Sequence, residues 1–341
     1  MRVLVTGGTG FVGSHSVAAL LEAGHEVRLL VRDPARIKPA LAPHGGRQDV
    51  DHVVGDATDP EAVKRALAGC DAVLHAAAVY RLDPRAYGET RRTNAKAAEV
   101  VLNAAAAQGC DPIVHVSSTV ATLRRGAIAT PDSPLSDLRS PYVVSKVRSE
   151  ATARALQEQG APVVIVSPGG VYGPHDPGLS DMMRRLRDQL RGWYPFWPLG
   201  GTHAVDVRDV ARVHAAVMKS GAGPRRYIVP GHFLDGATLY GTLREVTGRR
   251  LPYVPVPATM MLPVTWLASA VQRVVPVHLP AESEGVLLLR EETRADTSRT
   301  ESELGVTATP LRQTMSDAVR WLYQAGHISA RQAGRTAVTA G

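Results

Sequence analysis

The run RVLVTGGTGFVG, residues 2–13, decides the fold of this chain. Its first part, RVLVT, predicts a short buried strand, and the glycine-rich remainder opens a helix that we expect to run through Ala23. Gly24 and His25 end that helix before a second predicted strand, residues 26–31. A strand, a glycine-rich turn and a helix within about 30 residues form the dinucleotide-binding unit.

Three glycines of this run have separate roles in the dinucleotide-binding unit. Their spacing is G-x-x-G-x-x-G rather than G-x-G-x-x-G. Gly7 permits the tight turn, Gly10 lets the backbone approach a pyrophosphate, and Gly13 allows close contact between helix and strand. The free N–H groups where the helix starts, around Phe11 and Val12, are expected to receive the anion.

Strands continue to alternate with helices as far as about residue 166, which predicts an α/β fold with a Rossmann-type, doubly wound parallel sheet. The remaining predicted strands lie near 51–54, 71–75, 112–116 and 162–166, and the long helices near 84–108 and 141–159. We expect residues 1–168, with about 204–229, to form the nucleotide-binding domain. A smaller C-terminal α/β cap would hold the substrate with residues 169–203 and 230–325. Residues 326–341 are small and polar and predict a flexible tail.

Composition narrows the classes of partner. The chain has 341 residues and a formal net charge of +7. Its arginines are scattered and no nucleic-acid-binding module is evident, so we expect no nucleic-acid partner and attribute the charge to attraction of anionic cofactors. Cys70 and Cys110 are too few and too isolated for a disulfide framework or a zinc site. We therefore expect a cytoplasmic protein without a secretory leader.

No metal site is predicted either. His75, His115 and His175 lack the spacing of metal ligands and read as packed or turn histidines.

The most apolar stretch is residues 254–277, VPVPATMMLPVTWLASAVQRVVPV. Four prolines and Arg273 interrupt it, so we expect no transmembrane segment. A cap helix that lines an apolar pocket is the first interpretation, and weak contact with a membrane surface is the second.

Tyr142 and Lys146 are the strongest chemical signal, in the sequence SPYVVSK. One helical turn separates them, so the phenol and the ammonium project from the same face. A nearby ammonium favours the phenolate and lowers the phenol pKa from about 10 toward working pH. Tyrosine then becomes usable as an acid and base.

With these residues the chain resembles the extended short-chain dehydrogenases/reductases, in the dihydroflavonol reductase and 3β-hydroxysteroid dehydrogenase-like branch. The resemblance covers roughly residues 1–215 well and the rest loosely. Beyond the residues already quoted, the matching segments are, in chain order, Gly55-Asp56, His75 to Ala78, Thr93-Asn94, Val116 to Ser118, and Pro168 to Pro174.

The resemblance implies roles for individual residues. Tyr142 would donate the proton, Lys146 would hold the nicotinamide ribose, and Ser118 would hydrogen-bond the carbonyl. Ser117 would face the cofactor or only satisfy backbone groups at the strand end, and Asn94 would brace the backbone beside the site. The further cofactor contacts that it implies are Asp56, Ala57, Ala76, Ala77, Ala78, Pro168, Gly169 and Val171.

The residues at the end of the second strand indicate whether the protein prefers NAD or NADP. An acidic residue there binds the ribose 2′-hydroxyl of NAD, whereas an arginine accommodates the 2′-phosphate of NADP. Arg32 follows the last apolar strand residue, and Asp33 follows Arg32. We expect NADP(H), with NAD(H) possible.

Two departures from related enzymes favour an NADPH-dependent reductase or alcohol dehydrogenase acting on a fairly apolar ketone, aldehyde or alcohol. Thr119-Val120 stand where dehydratases of this fold carry an acidic pair, and Gly170 stands where epimerases commonly carry Asn. A nucleotide-sugar epimerase-like enzyme is the alternative, and an inactive NADP(H)-sensing protein the lesser one. Relatives often pair through two long helices, so we expect a monomer or a homodimer.

Overall fold

A parallel seven-stranded sheet forms the centre of the computed structural model, which describes residues 1–45, 49–78, 87–274 and 283–338. Its strands are β1 (Arg2–Thr6), β2 (Glu26–Val31), β3 (Asp51–Val54), β4 (Ala72–His75), β5 (Ile113–Val116), β7 (Val163–Ser167) and β11 (Arg225–Ile228). The six predicted strands agree with these bounds to within one residue at either end. The predicted Rossmann-type fold is confirmed.

The strand order is β3-β2-β1-β4-β5-β7-β11, and every neighbouring pair is parallel. The chain moves outward from β1 in one direction and then returns to build the other half from β4. Ligands of open parallel sheets bind beyond the carboxyl ends of the strands at such a reversal. The topology therefore places a binding crevice where β1 and β4 end.

Helices cover both faces of this sheet. They are α1 (Phe11–Glu22), α2 (Ile37–Leu41), α3 (Pro60–Leu67), α4 (Tyr87–Gln108), α5 (Pro141–Glu158) and α7 (Val207–Ala216). One buried core joins α1 and α7 to the sheet, and a second joins α3, α4 and α5 to its other face. The predicted helix 84–108 begins at residue 87 among the described residues; residues 84–86 lie outside them.

A close approach fixes the first turn of the sheet to its first helix. Gly7 has φ +75°, a conformation that costs glycine least. A Cβ at Gly13 would stand 2.0 Å from the Gly7 carbonyl oxygen, which no side chain could tolerate. The expected need for glycine at both positions therefore has a steric cause.

A smaller layered unit packs beyond the carboxyl edge of the main sheet. Its three-stranded sheet has the order β12-β10-β8, formed by β8 (Gly170–Tyr172), β10 (Gly201–Asp206) and β12 (His232–Asp235). Its helices are α6 (Asp181–Leu190), α8 (Gly236–Thr247), α9 (Ala258–Val274), α10 (Ser283–Arg290) and α12 (Leu311–Gln324). The smaller strands are β6 (Ile128–Ala129), β9 (Phe196–Pro198), β13 (Val254–Val256) and β14 (Arg294–Ala295), which pair as β9 with β13 and β6 with β14. A separate buried core holds most of this unit together.

One part of the region predicted as cap packs elsewhere. Helix α11 (Ser298–Leu304) lies beside β11, and Val306 belongs to the core under the main sheet. Thr300 donates a hydrogen bond to the Ile228 carbonyl at 2.6 Å, and Tyr227 donates one to Glu303 at 2.7 Å. These contacts attach the segment to the nucleotide-binding half.

The predicted flexible tail over 326–341 is wrong for the described residues up to 338. Helices α13 (Ala330–Ala333) and α14 (Arg335–Val338) follow a buried Ile328. Ala333 is fully buried in the cap core, since small residues let the segment pack closely against α8 and α12. The prediction of flexibility was wrong because the segment is mostly small and polar, and the few buried side chains on its apolar face do not stand out in the sequence. Residues 339–341 lie outside the described part.

Among the described residues, no helix combines the length and the apolar character needed to cross a membrane.

The packed C-terminal segment gives a stability prediction. Ala333→Asp should lower the free energy of unfolding by about 3 kcal/mol or more, because it places an unpaired charge in a closed core. Arg331→Asp, at an exposed neighbour, is the matched control and should have little effect. Chemical denaturation of both variants measures the difference. Equal stabilities would show that the segment does not pack in solution.

Candidate active site

A cleft of about 660 Å³ runs along the carboxyl edge of the main sheet, at the reversal between β1 and β4. Every residue that the sequence predicted for catalysis or cofactor binding lines it, from Gly7 at one wall to Val171 at the other. One continuous site thus gathers segments spread over more than half of the chain.

The start of α1 faces this cleft with its backbone donors uncovered. Gly10 is the residue before the helix, and no side chain caps its first turn. By contrast, Asp59, Ser140 and Asp206 cap α3, α5 and α7 with their side chains. Free N–H groups and the helix dipole together attract an anion. This end of the cleft therefore fits the pyrophosphate of a dinucleotide.

Two arginines border the outer end of the cleft. Arg32 and Arg36 are exposed and line it together with Asp33 and Asp56. Asp33 accepts a hydrogen bond from the Ala35 backbone N–H at 3.0 Å and so begins a short 3₁₀ turn. Its carboxylate is therefore engaged by the backbone, whereas both guanidinium groups reach a surface that an anionic ligand could occupy.

Helix α5 carries the predicted catalytic pair into the inner end of the cleft. Ser140 caps the helix and Pro141 occupies its first position, a combination that favours a helix start there. Tyr142 and Lys146 are both buried, with 8% and 7% of their surface exposed. Ser118, at the end of β5, hydrogen-bonds the Tyr142 side chain. The structure brings these three predicted residues together.

Burial changes the expected titration of the tyrosine. Loss of solvation raises the pKa of Tyr142, the hydrogen bond with Ser118 lowers it, and the negative charges of Glu284 and Asp181 raise it further. The balance is upward, so the expected lowering of this pKa by Lys146 is not found in the protein without nucleotide. Burying a phenolate costs more than a neighbouring amine restores.

Lys146 is itself shifted in the opposite direction. Burial lowers the pKa of its ammonium to about 8, and the carboxylate of Glu150 raises it. The ammonium lies 3.4 and 3.5 Å from the carbonyl oxygens of Ser117 and Val116, at the end of β5. These contacts hold the lysine beside the strand end that also carries Ser118.

Glu150 is a buried residue that the sequence reading missed. It follows Lys146 by one helical turn, and its Oε2 accepts a 2.5 Å hydrogen bond from Ser117. Arg154 pairs with the same carboxylate. The Ser117 hydroxyl therefore points toward Glu150, although the residue lines the cleft. The sequence does contain a signal for Glu150. Tyr142, Lys146 and Glu150 are spaced four residues apart, and side chains at this spacing lie on one face of a helix.

Glu284 was also missed, and it comes from the cap. Its Oε1 accepts hydrogen bonds from the Tyr142 backbone N–H at 2.7 Å and from the Ser140 hydroxyl at 2.8 Å. The residue stands in the first turn of α10 and is almost fully buried. No local sequence signal could have found this contact, because the partners lie more than 140 residues apart.

The cap side of the cleft presents both apolar and polar groups. It is lined by Met182, Leu288 and Leu289 together with Asp176, Ser180, Arg185 and Thr202, and Val120 lines the cleft from the turn after β5. The expected pocket-lining role of residues 254–277 is not found: among the described residues, α10 lines the cleft and α9 does not. Helix α9 instead packs behind α10 through Ala258 and Leu262.

The histidines of the sequence analysis serve packing. His75 shares a 2.8 Å hydrogen bond with Thr6, and its ring stacks on that of His115 at 5.7 Å. His175 contacts the rings of His15 and His44. In the described part of the chain, no group of three ligating side chains has the geometry to hold a metal ion.

Comparison with known proteins agrees with this geometry. The sequence profile of the NAD dependent epimerase/dehydratase family matches residues 3–229. A Synechocystis protein named for dihydroflavonol 4-reductase is 30% identical over 95% of both chains. Cinnamoyl-CoA reductase 1 of Oryza sativa is 28% identical over 96% of this chain and 91% of its own.

A solved structure shares the architecture. The dTDP-glucose 4,6-dehydratase DesIV of Streptomyces venezuelae, crystallised with NAD and TYD, superimposes with a TM-score of 0.73 at 26% identity. The match covers 94% of this chain and 97% of DesIV. With the profile spanning most of the chain and the glycine turn, Tyr142 and Lys146 in one cleft, the chain belongs to the NAD-dependent epimerase/dehydratase family, within the extended short-chain dehydrogenases/reductases.

Proposed function

We propose that this chain is an NADPH-dependent reductase that transfers a hydride to the carbonyl carbon of a small, largely apolar ketone or aldehyde, or catalyses the reverse oxidation. The single observation that carries the proposal is the buried grouping of Tyr142, Ser118 and Lys146 at the inner end of a dinucleotide cleft. When bound, the reduced nicotinamide supplies the hydride, and the protein must supply a proton to the carbonyl oxygen.

Tyr142 is suited to give that proton. Burial raises its pKa, so its hydroxyl remains protonated at neutral pH and is available as an acid. As the carbonyl oxygen gains negative charge, Ser118 can donate a second hydrogen bond to it, which stabilises charge only as it develops. The proton leaves Tyr142 for the new hydroxyl, and the resulting phenolate regains a proton from solvent.

Lys146 would stabilise the negative charge that Tyr142 gains when it gives up its proton. A phenolate formed beside Ser118 is stabilised by a nearby ammonium. Glu150 keeps that ammonium charged by opposing the effect of burial, and it fixes Ser117, whose carbonyl contacts the ammonium. Glu150 is a positioning residue in this proposal, because it acts through Lys146 and Ser117.

The preference for NADPH rests on the outer end of the cleft. Arg32 and Arg36 offer two cations where the adenosine ribose would lie, and a 2′-phosphate is the anion that would use them. Asp33, the competing residue for a free 2′-hydroxyl, already uses one of its two carboxylate oxygens to start its 3₁₀ turn.

The substrate class follows from the cap side and from the relatives. Met182, Leu288 and Leu289 give part of that wall an apolar surface, and Val120 adds to it from the turn after β5. Two relatives carry the names of reductases. Thr119 and Val120 form a 3₁₀ turn and bring no carboxylate to the place where an acidic pair would eliminate water.

A nucleotide-sugar epimerase-like activity is the second candidate. Arg185 on the cap wall favours it, because a guanidinium there could hold a diphosphate. An NADP(H)-binding protein without turnover is the third. Purified protein mixed with NADPH and a panel of ketones, aldehydes, sterols and UDP-sugars separates them. Loss of NADPH fluorescence indicates reduction, and fluorescence enhancement without turnover indicates sensing. A sugar isomer formed in a parallel mixture of NAD(P)+ and UDP-sugars, with no net change in the nucleotide, indicates epimerisation, because that reaction first oxidises the sugar.

Tyr142→Phe should lower kcat by roughly 10²–10⁴-fold, because the ring stays and only the proton donor is lost. NADPH affinity, measured by fluorescence titration, should remain within about twofold on the same reasoning, since the ring still fills its space. Turnover close to that of the unmodified enzyme would end the assignment of Tyr142 as acid.

Arg32→Asp should raise KM for NADPH far more than KM for NADH, since an acidic group repels the 2′-phosphate and accepts from a 2′-hydroxyl. Arg148→Asp makes the same charge change at an exposed position of α5 away from the cleft and serves as the control. Equal changes in both KM values would contradict the NADPH assignment.

The pH profile should depend on Glu150. If activity needs the Lys146 ammonium, kcat/KM should fall as pH rises through about 8, the pKa that burial leaves it. Glu150→Gln removes a charge that raises this pKa, so the fall should begin at lower pH. Glu158→Gln, at an exposed carboxylate in the last turn of α5, is the control. An unshifted profile in folded Glu150→Gln would refute the role.

A further inference from the structure

The cap carries a surface of large apolar side chains that the proposed reaction does not use. We call it the apolar surface; its members are Trp193, Phe196, Leu199, Val254, Met260, Val264, Trp266 and Leu267, each more than two-fifths exposed. Soluble proteins seldom expose apolar groups together on this scale, and such surfaces mark sites of interaction.

The outward face of α9 is the centre of this surface. Ala258, Leu262 and Thr265 turn inward and are buried, so the helix is anchored on α10 by one side only. The exposed fractions of Met260, Val264, Trp266 and Leu267 are 67%, 66%, 56% and 68%. The other exposed positions as far as residue 267 are Thr259 and Pro263, so this face carries no charge.

Backbone pairing joins the other members to the base of this helix. Strands β9 and β13 lie side by side, which sets Phe196 opposite Val254. The Leu199 N–H donates to the Val256 carbonyl at 2.8 Å, and Ala258 begins α9 two residues later. The two segments therefore form one side of the cap.

Only basic residues flank the apolar surface in sequence. Arg191 lies over the ring of Trp193 at 5.3 Å, and Arg249 donates to the Leu190 carbonyl at 2.7 Å, beside Arg191. Arg250 is exposed next to them. The sequence has no Asp or Glu from residue 246 to 281 or from 189 to 205. We call Arg191, Arg249 and Arg250 the basic rim.

We propose that the apolar surface and the basic rim bind the surface of an anionic lipid bilayer, with α9 lying in the headgroup region. A helix that exposes tryptophan and aliphatic groups, with no charged side chain as far as residue 267, matches the chemistry of that boundary. The arginines of the basic rim attract anionic headgroups, although Arg191 also lies 4.0 Å from the Asp188 carboxylate. Up to residue 267 the face offers only the Thr259 hydroxyl and the Trp266 indole N–H as exposed hydrogen-bonding groups, so little there would specify the register of a protein partner.

Liposome flotation tests the proposal with the full chain. The protein should float with vesicles of phosphatidylcholine and phosphatidylglycerol, should float at least tenfold less with phosphatidylcholine alone, and should be released by high salt. Val264→Glu with Leu267→Glu should reduce flotation at least tenfold. Ile128→Glu, at an exposed apolar residue on β6 outside the apolar surface, is the control and should float normally.

Two readouts make the result decisive. NADPH titration should be unchanged in every variant, which shows that each is folded, since none of these positions lines the cleft. Tryptophan emission should shift to shorter wavelength on vesicle addition, because Trp193 and Trp266 enter the interface. Absence of flotation would overturn the proposal. So would a dimer, seen by sedimentation, that the double variant dissolves, because the surface would then bind a second copy. Neither outcome bears on whether the enzyme reduces carbonyls.

Discussion

The contact between Gly13 and the carbonyl of Gly7 is the constraint on which the site depends. It allows α1 to begin immediately above the end of β1, so that the uncapped first turn of the helix meets the reversal point of the parallel sheet. Any larger residue at position 13 would push the helix away from the turn. The nucleotide cleft, and with it the placement of everything along its walls, follows from the absence of two side chains.

Burial then sets the electrostatics of the inner end. The same loss of solvation raises the pKa of Tyr142 and lowers that of Lys146, so the two proton affinities, which are similar in water, move apart: the phenol holds its proton more firmly and the ammonium less firmly. Carboxylates from two directions adjust this balance: Glu150 acts on the lysine from the same helix, and Glu284 acts on the tyrosine from the cap. A raised pKa keeps the phenol of Tyr142 neutral at working pH, which is the state that the proposed proton donor needs.

The sequence alone predicts the features that depend on local residue patterns. Strand bounds, the glycine turn and the i, i+4 pair at Tyr142 and Lys146 depend on spacing, and spacing is visible in one dimension. Predictions from the sequence were wrong for features that depend on contacts between distant parts of the chain. The sequence predicts that a cap helix within residues 254–277 lines the pocket, but among the described residues α10 lines the cleft and α9 packs behind α10. The C-terminal segment was expected to be flexible because its few buried side chains, Ile328 and Ala333, are separated by polar residues. The Tyr142 pKa was misjudged because exposure cannot be read from a motif.

Glu284 links the cap to helix α5 of the nucleotide-binding half. The leading turn of the catalytic helix is completed by a carboxylate that belongs to the cap, so two halves of the enzyme share one hydrogen-bonded junction. Any displacement of α10 would therefore also take away the acceptor used by the Tyr142 backbone N–H and the Ser140 hydroxyl, so the position of the cap and the first turn of α5 depend on each other.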